Sequence, residues 1–109
     1  MTKRVFLIVL DSFGIGEAPD AKNFGDEGSN TLSAIFGDQE FNAPTLQSLG
    51  LFNIDGVTVG DKIPNPQASF CRLQELSQGK DTVSGHWEIA GVVSTQPFPT
   101  YPNGFGDEI

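Results

Sequence analysis

The sequence predicts an α/β fold, a mainly parallel sheet flanked by helices, and four stretches carry that expectation. Residues 4–10 form a continuous apolar run rich in β-branched and aromatic side chains, the pattern of a strand buried on both faces. Two short segments, residues 29–37 and 42–50, each combine a helix-start signal, an apolar stripe and a closing glycine. Residues 79–91 place a glycine turn ahead of a third helix, with hydroxyls at its mouth.

Taken in order, the apolar run delivers the chain directly to Asp11, at the carboxyl end of the expected strand, where open α/β sheets collect ligands. Two readings of Asp11 stand at this stage, a turn cap and a ligand-binding carboxylate. Residues 12–30 are rich in glycine and acidic residues and lack helical periodicity, which predicts a long loop. Glu17, Asp20, Asp26 and Glu27 do not have the spacing of a calcium loop, so no metal is assigned to them.

Ser29, Asn30 and Thr31 offer capping side chains before Leu32, Ile35 and Phe36, and Gly37 closes that helix. Pro44 suits a first helical turn, Leu46 and Leu49 share a face, and Gly50 stops the second helix. Both read as scaffold. Residues 51–66 are broken by glycine and proline, with one brief extended piece expected at 57–59. Residues 68–76 alternate in the manner of a strand leading to Gly79, and Cys71 within them reads as small packing material.

From residue 83 to residue 90 the composition favours a short helix ending at Gly91. A hydroxyl at its start would face the unsatisfied backbone N–H groups of the first turn, a ready site for an anion such as phosphate. Asp81 and Thr82 are equally readable as an ordinary N-cap. A nucleotide-binding P-loop is excluded, because Gln74 occupies the required earlier glycine position and Asp81 follows Gly79-Lys80. Lys80 reads first as a solvated surface cation and second as a group that orients the turn or attracts phosphate, and His86, one turn beyond Thr82, as a residue that packs, caps or faces the same side as the hydroxyl. Residues 92–93 read as a brief extended piece. Residues 96–106, interrupted by proline and glycine, exclude a stable helix.

The chain has 109 residues, enough for one small domain, and carries six basic against fourteen acidic residues for a formal charge of −8. That field opposes general adhesion to nucleic acid or an anionic membrane. Phosphate binding would need local help from cations, helix ends or a few placed bases. A single cysteine excludes an internal disulfide and a cysteine zinc site, which fits a reducing, cytoplasmic setting. The apolar run is far too short for a membrane span.

The segment Gly79-Lys80-Asp81-Thr82-Val83-Ser84-Gly85-His86-Trp87-Glu88 resembles the signature of bacterial phosphopentomutases, within the alkaline phosphatase superfamily. A second block, Asp11-Ser12-Phe13-Gly14-Ile15-Gly16-Glu17-Ala18-Pro19-Asp20-Ala21, resembles that family's first metal-binding signature, in the same order and approximate spacing. The resemblance implies a partial alkaline-phosphatase-like core over residues 1–109, with Thr82 as catalytic nucleophile and Asp11 and Thr82 as metal ligands. It also implies two divalent cations, with Mn²⁺ the expected ion, and a sugar bisphosphate activator.

The implied reaction interconverts ribose 1-phosphate and ribose 5-phosphate, and their 2-deoxy forms, through a phosphothreonine. The implied partners are a pentose phosphate and the remaining part of the catalytic core, with no nucleic acid and no membrane. The family's other aspartate and histidine ligands and its cap domain are missing from this chain. It is therefore expected to be an amino-terminal fragment, inactive alone. Another alkaline-phosphatase-like phosphomutase or phosphatase is the nearest alternative, and a noncatalytic scaffold domain is a different one.

Overall fold

The computed structural model describes residues 2–38 and 41–106. Residues 107–109, on which the expected end of the fragment falls, lie outside the described residues. The chain divides into two compact units, Met1–Gln74 and Glu75–Ile109.

The first unit contains helices α1, Thr31–Phe36, and α2, Pro44–Leu49, with 3₁₀ turns at Ala21–Phe24 and Leu51–Asn53. Asn30 caps α1, its Oδ1 accepting the Ser33 N–H at 2.8 Å, as the cluster of polar residues before Leu32 predicts. Pro44 opens α2 at the position where its missing N–H costs nothing. Leu32, Phe52 and Val57 form the buried core, with Phe13, Ile15, Phe41, Leu51, Ile54 and Val59 packed around it. Phe36 meets Phe41 and Phe52 edge to face at 5.9 and 5.6 Å. Helix α2 buries none of its residues, so it contributes less to this core than its Leu46 and Leu49 stripe predicts.

The parallel sheet is not present. No strand forms among the described residues, and the expectation of an α/β fold with a mainly parallel sheet is corrected on that finding. Residues 4–10 form no regular element and are exposed, with Val5, Phe6, Leu7 and Ile8 at 94, 80, 75 and 81%. An apolar run supplies side chains for burial, but a strand also requires a neighbour whose backbone groups match its own.

The other segments expected to be extended direct their backbone groups elsewhere. The Val57 N–H bonds to the Ile54 carbonyl at 3.2 Å, and the Leu76 and Ser77 N–H groups are taken by a side-chain carboxylate. The Asn53 side chain imitates a ladder partner for Ile63, donating to its carbonyl at 2.8 Å and accepting its N–H at 3.0 Å. Side chains and single turns therefore organise this backbone.

The second unit contains α3, Thr82–Ile89. Its partners are described with the site below. In the first unit, Gly60 has φ +72°, and a Cβ there would lie 2.5 Å from the ring of buried Phe52. Gly60→Ala is expected to destabilise this unit by about 2 to 4 kcal/mol, from left-handed backbone cost plus overpacking, read as a lower urea midpoint.

Candidate functional site

Helix α3 begins at Thr82 because Asp81 caps it. One Asp81 oxygen accepts the N–H groups of Val83 and Ser84, each at 3.0 Å, and the other accepts the Ser84 hydroxyl at 2.8 Å. The Ser84 N–H foremost, then its hydroxyl and the Val83 N–H, hold the Asp81 carboxyl below the ordinary carboxylate value. Asp81 is the cap, and the first-turn donors expected to face a phosphate are occupied by a built-in carboxylate.

Gly79 has a related role. A Cβ at this position would lie 2.4 Å from Ser84 Oγ and 2.8 Å from Asp81 Oδ2, so the missing side chain makes room for the cap rather than for a ligand.

Thr82 is exposed at the first helical position, and among the described residues its hydroxyl has no hydrogen-bond partner. His86 lies one turn on, and its Nδ1 meets the Thr82 carbonyl at 2.7 Å. A carbonyl only accepts, so Nδ1 carries the proton, and in the neutral ring Nε2 is the free acceptor. The imidazole thus engages the backbone of Thr82 and not its hydroxyl. Lys80 pairs with Glu75 at 3.5 Å, a contact its reading as a solvated cation misses.

The far end of α3 is held by Glu88. One of its oxygens accepts the Leu76 N–H at 2.8 Å; the other accepts the Ser77 N–H at 2.8 Å and the Ser77 hydroxyl at 2.5 Å. The Ser77 hydroxyl and the Leu76 N–H, with smaller contributions from the Ser77 N–H and the Lys80 charge, hold the Glu88 carboxyl below its ordinary value. Ser77 is 1% exposed, and its oxygen also accepts the Ser94 N–H at 3.1 Å. Sequence reading missed Glu88 and Ser77, since eleven residues separate them and no motif spacing links them.

In the first unit, Asp11 is exposed at a turn in which the Phe13 N–H bonds to the Leu10 carbonyl at 3.2 Å. Ser12 adopts φ +59°, unusual for a residue with a side chain. Its carbonyl accepts the Thr31 hydroxyl at 3.1 Å, and the Leu32 N–H bonds to the Gly14 carbonyl at 2.9 Å, so the turn is fastened to the start of α1. Farther along the loop, Arg72 donates to the Glu17 carbonyl at 2.6 Å, an anchor that the sequence does not signal.

Asp11 belongs to the first unit and Thr82 to the second. Among the described residues no three or more His, Cys, Asp or Glu side chains gather as a metal site. A depression of about 360 Å³ in the first unit, bordered by Phe36, Phe41, Asn42, Gln47, Phe52 and Asp61, contains neither candidate residue. No described helix is long and apolar enough to cross a membrane.

No family model matches the chain. Curated phosphopentomutases of Lachnoclostridium phytofermentans and Acetivibrio thermocellus are each 56% identical to it over 108 residues, 98% of this chain. The chain spans 28% of the length of each. The resemblance read from two motifs therefore extends along nearly the whole chain, and what the chain resembles is a part of a phosphopentomutase.

Both lowered carboxyl groups stabilise the fold fully above the ordinary carboxylate range, and that contribution disappears as pH falls through their lower folded-state values. Far-ultraviolet circular dichroism should show α3 weakening below about pH 4. Asp81→Asn and Glu88→Gln variants should show a shallower acid limb.

Proposed function

We propose that this chain is the amino-terminal part of the catalytic core of a phosphopentomutase, interconverting ribose 1-phosphate and ribose 5-phosphate and their 2-deoxy forms. The observation that carries this is the 56% identity to phosphopentomutases over 108 residues, a span that includes the Thr82 segment. The enzyme is an isomerase of pentose phosphate metabolism in the cytoplasm.

Thr82 is its nucleophile. Its oxygen bonds to phosphorus as the bond from phosphorus to the sugar oxygen breaks, giving phosphothreonine, and the threonine proton ends on the released sugar oxygen. Working in the productive direction, the phosphothreonine passes its phosphoryl group to the free hydroxyl of the substrate, giving a sugar bisphosphate and restoring the threonine oxygen. The bisphosphate's other phosphoryl group then returns to that oxygen, releasing the isomer. The exposure of Thr82 supports this role, because a phosphate group can reach the hydroxyl.

The same exposure would admit water, which would turn the mutase into a phosphatase. Closure is assigned to a cap domain outside this chain. Asp11 and the Thr82 oxygen are the metal ligands this chain contributes. Hard oxygens suit Mn²⁺, but two are too few to retain a cation, and no fuller donor set gathers among the described residues. A pair of divalent cations would supply charge neutralisation for the transferring group. The remaining donors belong to the rest of the core.

Placing this segment in the matching stretch of the L. phytofermentans enzyme tests the assignment with ribose 1-phosphate as substrate. Thr82→Ala should lower turnover by on the order of 10⁴-fold or more, while Thr82→Ser retains measurable activity. Undiminished turnover by the alanine variant excludes Thr82 as nucleophile. The 109-residue chain alone should show no conversion, and robust conversion would refute its reading as an incomplete site.

A further inference from the structure

Helix α3 is eight residues long, too short to be stable by itself, so something outside it must set its direction. Apolar packing supplies one tie, the edge-to-face contact of Trp87 with Phe98 at 5.5 Å, made by a side chain that stays half exposed. Val83, Trp87 and Ile89 are 47, 46 and 55% exposed, and the one buried residue of the helix is Ser84. The Asp81 cap is local, reaching only two and three residues along the chain, and defines where the helix starts without tying it to another segment.

Glu88 does make that tie. Its carboxylate reaches back across eleven and twelve residues to Ser77 and Leu76, and the Ser77 hydroxyl continues the connection to Ser94. Three donors converge on two oxygens, both of which must accept. Only a carboxylate meets that requirement; the amide of glutamine would turn an NH₂ group toward an N–H.

We propose that Glu88 is the positioning residue for the Thr82 hydroxyl, acting through the bonds that fix α3 to residues 76–77 and 94. This rests on Thr82 being the nucleophile. Glu88 lies six residues beyond Thr82, about 9 Å along the axis at the helical rise, so it touches no reacting atom. Releasing it frees the far end of a rigid rod, and the near end carries the attacking oxygen. In-line phosphoryl transfer tolerates little displacement, and an error of about 1 Å costs roughly 10²-fold in rate.

The test measures phosphorylation of Thr82 in the full-length enzyme containing this segment, mixed with ribose 1,5-bisphosphate and followed in a single turnover by phosphopeptide mass spectrometry. Glu88→Gln should slow loading by roughly 10²-fold while the final phosphate per chain equals that of the parent. Ser77→Ala, which retains both backbone bonds, should slow it only several-fold. A reduced final yield at an unchanged rate would mean that Glu88 merely maintains the folded fraction, and overturns the proposal, as does an unchanged rate with unchanged yield. Loading on Thr82 in the parent separates these outcomes from failure of the nucleophile assignment, since a parent that never acquires phosphate there overturns both.

Discussion

Two carboxylates, with the Trp87–Phe98 ring contact beside them, hold α3. Asp81 occupies the first-turn donors, and Glu88 gathers the N–H groups of residues 76 and 77 with the Ser77 hydroxyl. A helix this short with half-exposed Val83, Trp87 and Ile89 gains little from burial, so its place depends on polar bonds with strict geometry. Each carboxylate satisfies donors that would otherwise be orphaned at a helix end or in an unpaired extended segment. Gly79 follows from the same constraint, because any side chain there would collide with the Asp81 and Ser84 bond.

If Thr82 is the nucleophile proposed above, this arrangement determines where phosphate affinity has to come from. A helix start with free N–H groups is an anion site, but here the protein's own anion is already in place. A phosphate brought to the proposed nucleophile would approach a helix start capped by the Asp81 carboxylate, within a chain of net charge −8. The helix start therefore repels rather than attracts, and attraction has to come from cations held elsewhere. A metal-dependent phosphomutase, with the hydroxyl supplied by one element and positive charge by others, fits that division of labour.

The helices were legible because their signals are local. Asn30 and Asp81 precede α1 and α3, Pro44 opens α2, and Gly37, Gly50 and Gly91 follow the three at or just beyond the end, so these local signals located all three within a residue or two. The sheet was misread because strand formation is a property of a pair, and the apolar composition of residues 4–10 says nothing about a partner. Glu88 escaped for the opposite reason. Its partners are backbone groups of Leu76 and Ser77, which no residue pattern announces, and the residue itself reads as one more acidic side chain on a helix. The Thr82 segment was recognisable from its composition, but its free-donor interpretation failed because a capping aspartate and an open anion site place the same residue types at the same spacing.

The most direct measurement follows the backbone amides of Val83 and Ser84 in the ¹⁵N-labelled protein while inorganic phosphate is added. With Asp81 holding both N–H groups, their resonances should show no saturable shift. A saturable displacement of both, tracking phosphate concentration, would mean that the helix start is open to anions and would contradict the closed-cap account.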